Sequence, residues 1–131
     1  MKKLIYLFVM VILVSGCATI QQATAPNREN LLKLSIGMSK AEVLATMGTK
    51  SIAKRDINLI TTTINNPYRS EILQGKDATL EVIYYVTDVK KDDYAITDDE
   101  LTPLVFDNGK LIGWGWSFLK DNTQKYEIRM R

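Results

Sequence analysis

The sequence predicts an α+β domain in which a short N-terminal helix pair packs on a three- to four-stranded antiparallel sheet. Three observations predict it: helical periodicity up to residue 48, a period of two from residue 51 onward, and an Asn108-Gly109 turn between two apolar runs. The chain has 131 residues, 46% hydrophobic and 24% charged, which suits one globular domain. Helices followed by a run of strands are typical of the α+β class.

The composition excludes several classes of function. The formal charge is +2, from 17 basic and 15 acidic residues, and the two excess lysines, Lys2 and Lys3, are at the N-terminus. A basic nucleic-acid-binding surface is therefore not supported. The absence of histidine removes His-based acid–base catalysis, Ser-His triads and most zinc sites. We expect a protein that is not an enzyme and has no cofactor and no nucleic-acid partner.

The first seventeen residues have the pattern of an export signal. Eleven apolar residues, Leu4–Val14, follow the two lysines. This stretch is shorter than the roughly 20 residues of a membrane-spanning helix but typical of a secretory signal. The next residues, up to Cys17, read Val-Ser-Gly-Cys and resemble the lipobox of bacterial lipoproteins, which implies cleavage before Cys17 and its acylation. Cys17 is the only cysteine, so lipidation also removes a thiol that has no disulfide partner.

The expected domain boundaries follow from this anchor. We expect a signal peptide over residues 1–16, a lipidated cysteine with a flexible tether over residues 17–30, and one α+β domain over residues 31–125. The small, uncharged stretch Ala18–Pro26 predicts the tether. Lipoproteins kept in the inner membrane often have aspartate after the cysteine. Ala18 at that position favours an anchor in the outer membrane, with the domain facing the periplasm.

The helix pair is predicted from caps and periodicity. Asn27 is expected to cap a first short helix that stops at Gly37. Ser39 then begins a capping box, in which its hydroxyl accepts the N–H group of Glu42 and the Glu42 carboxylate accepts that of Ser39. The second helix is expected to end at Gly48.

The rest of the chain is predicted to be β-structure. Residues 54–65 are rich in β-branched side chains and predict one strand, which Asn66 and Pro67 end. Thr79–Val86 alternate with a period of two and predict a further strand. The residues on its expected core face are Leu80, Val82, Tyr84 and Val86.

The strongest strand signal is the stretch Pro103–Leu119. Its Asn-Gly turn predicts a type I′ hairpin, with three expected pairs: Phe106 with Leu111, Val105 with Ile112, and Leu104 with Gly113. Continued alternation places Trp114 and Trp116 on one face. The two tryptophans then belong to the core, form an exposed aromatic patch for a partner, or point outward while helices pack on the glycine face. We favour the core.

The segment IGMSKAEVLATMG, residues 36–48, resembles the capped helix of the BamE/SmpA-type outer-membrane lipoproteins, in which a Gly-Met pair precedes a helix that ends in glycine. The matching positions are Gly37, Met38, Val43, Leu44 and Gly48. The resemblance spans about residues 31–119 and implies two helices packed on a three-stranded antiparallel sheet. It also implies an accessory role in the insertion of β-barrels. Thr49 and Lys50 replace the usual small residue and proline, which indicates a sister group.

Two loops supply further candidates. The turn Asn66–Glu71 is either a recognition loop or a strand-ending turn in water. The acidic segment Asp88–Glu100 lacks the Asp-x-Asp-x-Asp-Gly spacing of a calcium loop, and a second capping box begins at Thr97. We therefore favour a solvated loop with one helical turn over a calcium site. The candidate partner contacts are Tyr68, Arg69, Glu71, Trp114 and Trp116.

Together these observations predict a non-catalytic envelope lipoprotein that docks on another envelope protein as an assembly accessory. The favoured mode is a strand edge or an aromatic face added to the sheet of the partner. Two alternatives stay open. One is a carrier or sensor for a lipid or small periplasmic ligand, for which a closed apolar cavity would be the sign. The other is an inhibitor-type module whose loops enter an enzyme cleft.

Overall fold

A four-stranded antiparallel sheet with helices on both faces is the centre of the fold, in a computed structural model that describes residues 20–55, 57–91 and 95–126. The elements in chain order are α1 (Ile20–Asn30), a 3₁₀ turn (Leu31–Lys33), α2 (Lys40–Met47), β1 (Ile52–Arg55), β2 (Thr61–Ile64), β3 (Arg69–Gln74), β4 (Thr79–Val86), a 3₁₀ turn (Asp98–Glu100), β5 (Leu101–Asp107), β6 (Lys110–Trp114) and α3 (Trp116–Lys125). Strands β3 to β6 neighbour one another in sequence order, and β1 and β2 form a separate hairpin. This arrangement confirms the predicted α+β class.

The sheet buries apolar side chains on both faces. The first core cluster contains Ile20, Ile64, Leu80, Val82, Tyr84, Val86, Leu101, Val105 and Leu119. The second core cluster contains Leu34, Val43, Met47, Ile83, Tyr85, Leu104, Phe106 and Leu111. Because successive side chains of a strand point to opposite faces, β4 and β5 contribute to both clusters. The predicted core face of β4 is therefore buried as expected, but the opposite face of the strand is buried as well.

Helix α1 corrects two predictions about the N-terminal part of the domain. From Ile20 onward the predicted tether is helical instead, and Ile20, Thr24 and Asn27 are buried along one face. Asn27 lies within the helix and is not its N-cap. Its Nδ2 donates to the carbonyl oxygen of Val86 at 2.9 Å and to Oδ1 of Asn66 at 3.1 Å. These bonds attach α1 to the end of β4, a long-range contact that no local pattern announces.

Helix α2 begins and ends where the sequence predicts. The Ser39 hydroxyl accepts the N–H group of Glu42 at 3.2 Å, and Oε2 of Glu42 accepts that of Ser39 at 2.7 Å. Gly48 ends the helix with a φ of +90°. Val43 and Met47 point into the second core cluster, so this helix covers that face of the sheet.

The segment predicted as one strand over residues 54–65 is a hairpin. Strand β1 pairs antiparallel with β2, from Ile52 opposite Ile64 to Arg55 opposite Thr61. The turn between them contains Leu59 with a φ of +64°, which is uncommon for a bulky residue. The turn has neither glycine nor proline, the usual signals of a chain reversal. The sequence therefore predicts a continuous strand where the chain turns back.

The Asn108-Gly109 turn is confirmed, because both residues have a positive φ, +49° and +75°. Phe106 opposes Leu111 as predicted, but a bulge then shifts the register. Val105 opposes Gly113, and Leu104 opposes Trp114, so the other two predicted pairs are wrong by one residue. An extra residue on one strand of a pair has this effect.

The strand predicted to reach Leu119 ends at Trp114. Gly115 has a φ of +98° and precedes α3, so the last part of that stretch is a helix. The side chain of Trp114 packs against the second core cluster, whereas Trp116 packs against the first. The prediction that both tryptophans share one face is therefore wrong.

Candidate functional site

Four of the five candidate contact residues lie around one buried tyrosine, Tyr84 of β4. Tyr84 is fully buried and opposes Arg69 of β3. The central carbon of the Arg69 guanidinium is 4.3 Å from the centre of the Tyr84 ring. The ring of Trp116 lies 5.7 Å from that of Tyr84, centre to centre, at a tilt of 39°. We call Tyr84 with Tyr68, Arg69, Glu71 and Trp116 the Tyr84 cluster.

Hydrogen bonds hold Tyr68 and the two β3 members of the Tyr84 cluster in place. The N–H group of Tyr68 donates to the carbonyl oxygen of Tyr84 at 2.7 Å, and the Tyr84 hydroxyl donates to Oε1 of Glu71. Nη2 of Arg69 donates to Oδ1 of Asp98 at 3.0 Å. Burial, together with the bond to the Glu71 carboxylate, raises the pKa of Tyr84 far above its usual range. The hydroxyl therefore stays protonated and remains a donor.

Trp116 connects α3 to the sheet. Its indole Nε1 donates to the carbonyl oxygen of Leu101, at the start of β5, at 2.9 Å. The side chain is half-buried against the first core cluster, so part of its ring is packed and part is accessible. Trp114 is also half-buried but lies on the other face of the sheet. The structure does not bring Trp114 together with the other four candidates.

Glu100 organises the acidic segment from within the protein. Its side chain is only 1% exposed. The carboxylate accepts the N–H groups of Lys90 at 2.6 Å, Thr97 at 2.9 Å and Lys91 at 3.3 Å. Burial raises the pKa of Glu100, but these bonds outweigh burial and the pKa is lowered. The predicted capping box at Thr97 and the single helical turn are confirmed, whereas the burial of Glu100 was not predicted.

An open depression of about 300 Å³ lies beside this loop. Its lining residues are Lys90, Lys91, Ala95, Thr97, Asp99 and Glu100. In the described part of the chain, no three His, Cys, Asp or Glu residues are placed to hold a metal ion. Asp92 and Asp93 of the acidic segment lie outside the described residues. With two lysines in its wall, the depression does not have the all-oxygen lining that calcium requires.

Strand β3 is an open edge of the sheet. Its inner side pairs with β4 over its whole length, and no strand within the described ranges pairs with its outer side. The outer side of the opposite edge strand, β6, is hydrogen-bonded by the residues that precede α2. Gly37 donates to the carbonyl oxygen of Leu111, and Leu111 donates to that of Met38, both at 2.8 Å. Ile72 on β3 is 58% exposed, so the open edge also carries an accessible apolar side chain.

The chain matches a family described as proteins of unknown function, DUF3192, over residues 14–121. The chain belongs to the DUF3192 family. The match includes every helix and strand described above except the last turn of α3. Comparison with curated proteins and with solved structures gives no match.

Two predicted features of this DUF3192 chain lie outside the described residues: the signal peptide over residues 1–16 and the lipidation site Cys17. The matched range begins at Val14 and so includes Cys17. Among the described residues, no helix is long and apolar enough to cross a membrane.

The residue of this DUF3192 site that local sequence patterns do not single out is Tyr84 itself. The alternation of β4 predicts it on the core face of the strand, but not at the centre of the candidate contacts. The deciding feature is the register in which Arg69 opposes Tyr84. That register depends on the turn between β3 and β4, where the sequence QGKDA gives no unique loop length. The only available signal was the alternation of β4, which shows that Tyr84 shares a face with Val82 and Val86.

Proposed function

We propose that this DUF3192 protein is a non-catalytic, lipid-anchored envelope protein that docks on another envelope protein through the open edge of β3. The observation that carries the proposal is the unpaired outer side of β3 within the described residues. An open antiparallel edge binds an extended segment of a partner by strand addition, with main-chain hydrogen bonds for affinity and side-chain contacts for specificity. Ile72 is the apolar side chain available for such a contact.

The Tyr84 cluster supports this use of β3. An edge strand that frays loses the straight row of N–H and C=O groups that a partner strand needs. Here Arg69 and Glu71, two residues apart on β3, are each held by side chains from other elements, Asp98 and Tyr84. The first half of the open edge is therefore preorganised, which lowers the entropy lost on binding.

The close burial of both core clusters favours docking over the carrier alternative. A pocket for a small molecule commonly has a volume of roughly 300–1,000 Å³ and a mostly apolar lining. The two core clusters on either side of the sheet consist of side chains that are at most 7% exposed. The depression beside Glu100 is open and has two lysines in its wall. This open, partly charged lining is unsuited to a lipid or a small apolar ligand, which would bind in a closed apolar cavity.

The anchor and the location in this proposal rest on the sequence. The apolar segment and the lipobox-like residues that end at Cys17 favour a lipoprotein, and Ala18 favours the outer membrane. The resemblance of residues 36–48 to the BamE/SmpA-type lipoproteins favours an accessory role in envelope assembly. Palmitate labelling of the wild type and of Cys17→Ala tests the anchor. We expect label only in the wild type, and equal labelling of both chains would contradict it.

In-cell crosslinking tests the docking surface. A photoreactive amino acid is placed at Ile72 or Gln74 on β3, and at the exposed Lys120 on α3 as a matched control. We expect both β3 positions to crosslink to the same envelope protein, and Lys120 not to do so. Ile72→Lys should weaken the crosslink from Gln74, because charged residues on an edge oppose strand addition.

Three results would contradict docking through β3. Equal capture of the same protein from Lys120 would show that β3 is not the specific surface. Crosslinks to lipid alone, from positions that line a cavity, would favour the carrier. Crosslinks to an enzyme from the acidic segment, with none from β3, would favour the inhibitor-type module.

A further inference from the structure

The tip of the β1–β2 hairpin carries three exposed aliphatic side chains. Ile57, Leu59 and Ile60 lie within four residues and are 95%, 66% and 60% exposed. Single exposed aliphatic side chains are ordinary on a protein surface, whereas several large ones in one short turn mark an interaction site. Leu59 also has a φ of +64°, a conformation that disfavours a bulky residue and that proteins retain mainly at functional positions.

The base of this hairpin packs on the same core cluster as the first described residue of the chain. Ile20, the first described residue, is in the first core cluster together with Ile64, and Ile52, which opposes Ile64, packs against the same cluster. Cys17 precedes Ile20 by three residues, which span at most about 10 Å. The four residues of β1 extend over about 13 Å at 3.3 Å per residue. These short lengths, on two segments that meet in one core cluster, allow the tip to reach a membrane in which acyl chains on Cys17 are embedded.

The arm that leads to the tip is basic. Between residues 49 and 60 the sequence contains three cationic residues, Lys50, Lys54 and Arg55, and one acid, Asp56. Aliphatic side chains next to basic residues are the combination that lies at the surface of an anionic bilayer. The aliphatic groups enter the boundary of the acyl chains, and the positive charges are attracted to the phosphate groups.

We propose that the tip of the β1–β2 hairpin inserts Ile57, Leu59 and Ile60 into the interface of the phospholipid bilayer that holds the Cys17 anchor. The inference rests on the anchor in the proposed function and is independent of the contact through β3. Acyl chains on one residue leave the domain free to rotate about that point. The tip is a second contact with the same membrane, and two contacts restrict the orientation in which the domain presents β3.

Fluorescence quenching in vesicles tests this contact. The full-length protein is produced with the processing that its own N-terminus directs and reconstituted in vesicles of phosphatidylethanolamine and phosphatidylglycerol. Leu59→Cys carries a thiol-linked environment-sensitive fluorophore at the tip, and Ile72→Cys carries it on β3 as a matched exposed aliphatic position. Lipids brominated on the acyl chains then serve as quenchers. We expect a blue shift and a loss of emission at position 59, and neither at position 72.

The outcomes separate this proposal from the others. No quenching at position 59, or equal quenching at both positions, overturns insertion of the tip. Ile57→Ser together with Ile60→Ser should reduce quenching at position 59. Both side chains are exposed, so folding is not at risk, and unchanged quenching would also overturn it. Thiol labelling of the wild type reports whether Cys17 is acylated, so a failed anchor is recognised separately. Failure of docking through β3 leaves the quenching unaltered.

Discussion

The central carbon of the Arg69 guanidinium lies 4.3 Å from the centre of the buried Tyr84 ring, while Nη2 of the same group donates to Oδ1 of Asp98 at 3.0 Å. One side chain thus joins the open edge of the sheet, its neighbouring strand and the turn before β5. Contacts between a cation and an aromatic face are worth about 0.5–1 kcal/mol at accessible sites. An ion pair of this exposure adds about 1 kcal/mol or less.

Arg69→Ala should lower the free energy of unfolding by about 1 kcal/mol, because both contacts are lost. Urea denaturation measures the change. Asp98→Ala is the control, since it removes the ion pair and leaves the cation over the ring, and its effect should be smaller. Equal losses in the two variants would mean that the contact with Tyr84 contributes nothing.

Trp116→Phe should lower the free energy of unfolding by about 1 kcal/mol, because the ring packing stays while the hydrogen bond to Leu101 is lost. Trp116→Ala should cost about 3 kcal/mol, since the contact with Tyr84 is removed as well. Denaturation monitored by circular dichroism avoids the loss of the fluorophore. Trp114→Phe is the comparison, and an identical cost for both Phe variants would argue against a specific role for the Leu101 bond.

Glu100→Gln should destabilise the protein by about 2 kcal/mol at neutral pH, because a buried carboxylate that accepts several N–H groups becomes a neutral amide. The pKa of Glu100 is lowered by folding from 4.5. Its ionised form therefore stabilises the fold above about pH 4.5, and this contribution is lost as the pH falls through the folded-state pKa. The difference between wild type and variant should be full at pH 7 and shrink at lower pH. A difference that grows on acidification would contradict this account.

Ser39→Ala should cost about 1 kcal/mol, because the hydroxyl that accepts the N–H group of Glu42 is removed. The exposed Ser35, four residues earlier, is the matched control, and Ser35→Ala should be close to neutral. Folding also lowers the pKa of Glu42 through the hydrogen bond from the Ser39 backbone. Thermal denaturation of both variants tests the capping box, and similar midpoints would indicate that it does not stabilise the domain.

Gly113→Ala should destabilise the protein by about 1–3 kcal/mol, because a new methyl group overpacks the site. A Cβ atom at this position would lie 2.5 Å from Cε2 and Cζ of the Phe118 ring. The same substitution in a Phe118→Ala background should cost much less, since the ring is gone. Urea denaturation of the wild type, the two single variants and the double variant completes this double-mutant cycle. Additive changes in the free energy of unfolding would show that the two residues do not touch.

Local chemistry explains which parts of this fold were predictable. The Ser39 capping box and the Asn108-Gly109 turn involve residues at most three positions apart, and both are confirmed by their hydrogen bonds and φ angles. Alternation placed β4 correctly for the same reason. The bulge between β5 and β6 and the hairpin turn at Leu59 depend on contacts elsewhere in the chain. Neither leaves a signal in the neighbouring residues.

Four members of the Tyr84 cluster were predictable as separate residues, whereas Tyr84 itself and the arrangement of the cluster were not. The side chains of Tyr68, Arg69 and Glu71 suit contacts with a partner, and the pairing of β3 with β4 brings them to Tyr84. A continuous strand would place Trp114 and Trp116 on one face. Gly115, with a φ of +98°, ends that strand and separates the two. A positive φ at glycine is a property of the folded chain, and the alternating sequence around it favours the strand.

The difference between the two edges of the sheet has a consequence for stoichiometry. A sheet with two open edges can pass strands from one copy to the next and grow without limit. In this protein Gly37 and Met38 already bond Leu111 of β6, so the strand addition that we propose is left to β3. A partner strand that pairs with β3 occupies its open side. If β3 pairs instead with β3 of a second copy of the protein, both open edges are used and the dimer cannot grow further. Complexes formed through β3 should therefore stop at two chains, and titrations should saturate at one to one instead of leading to fibres.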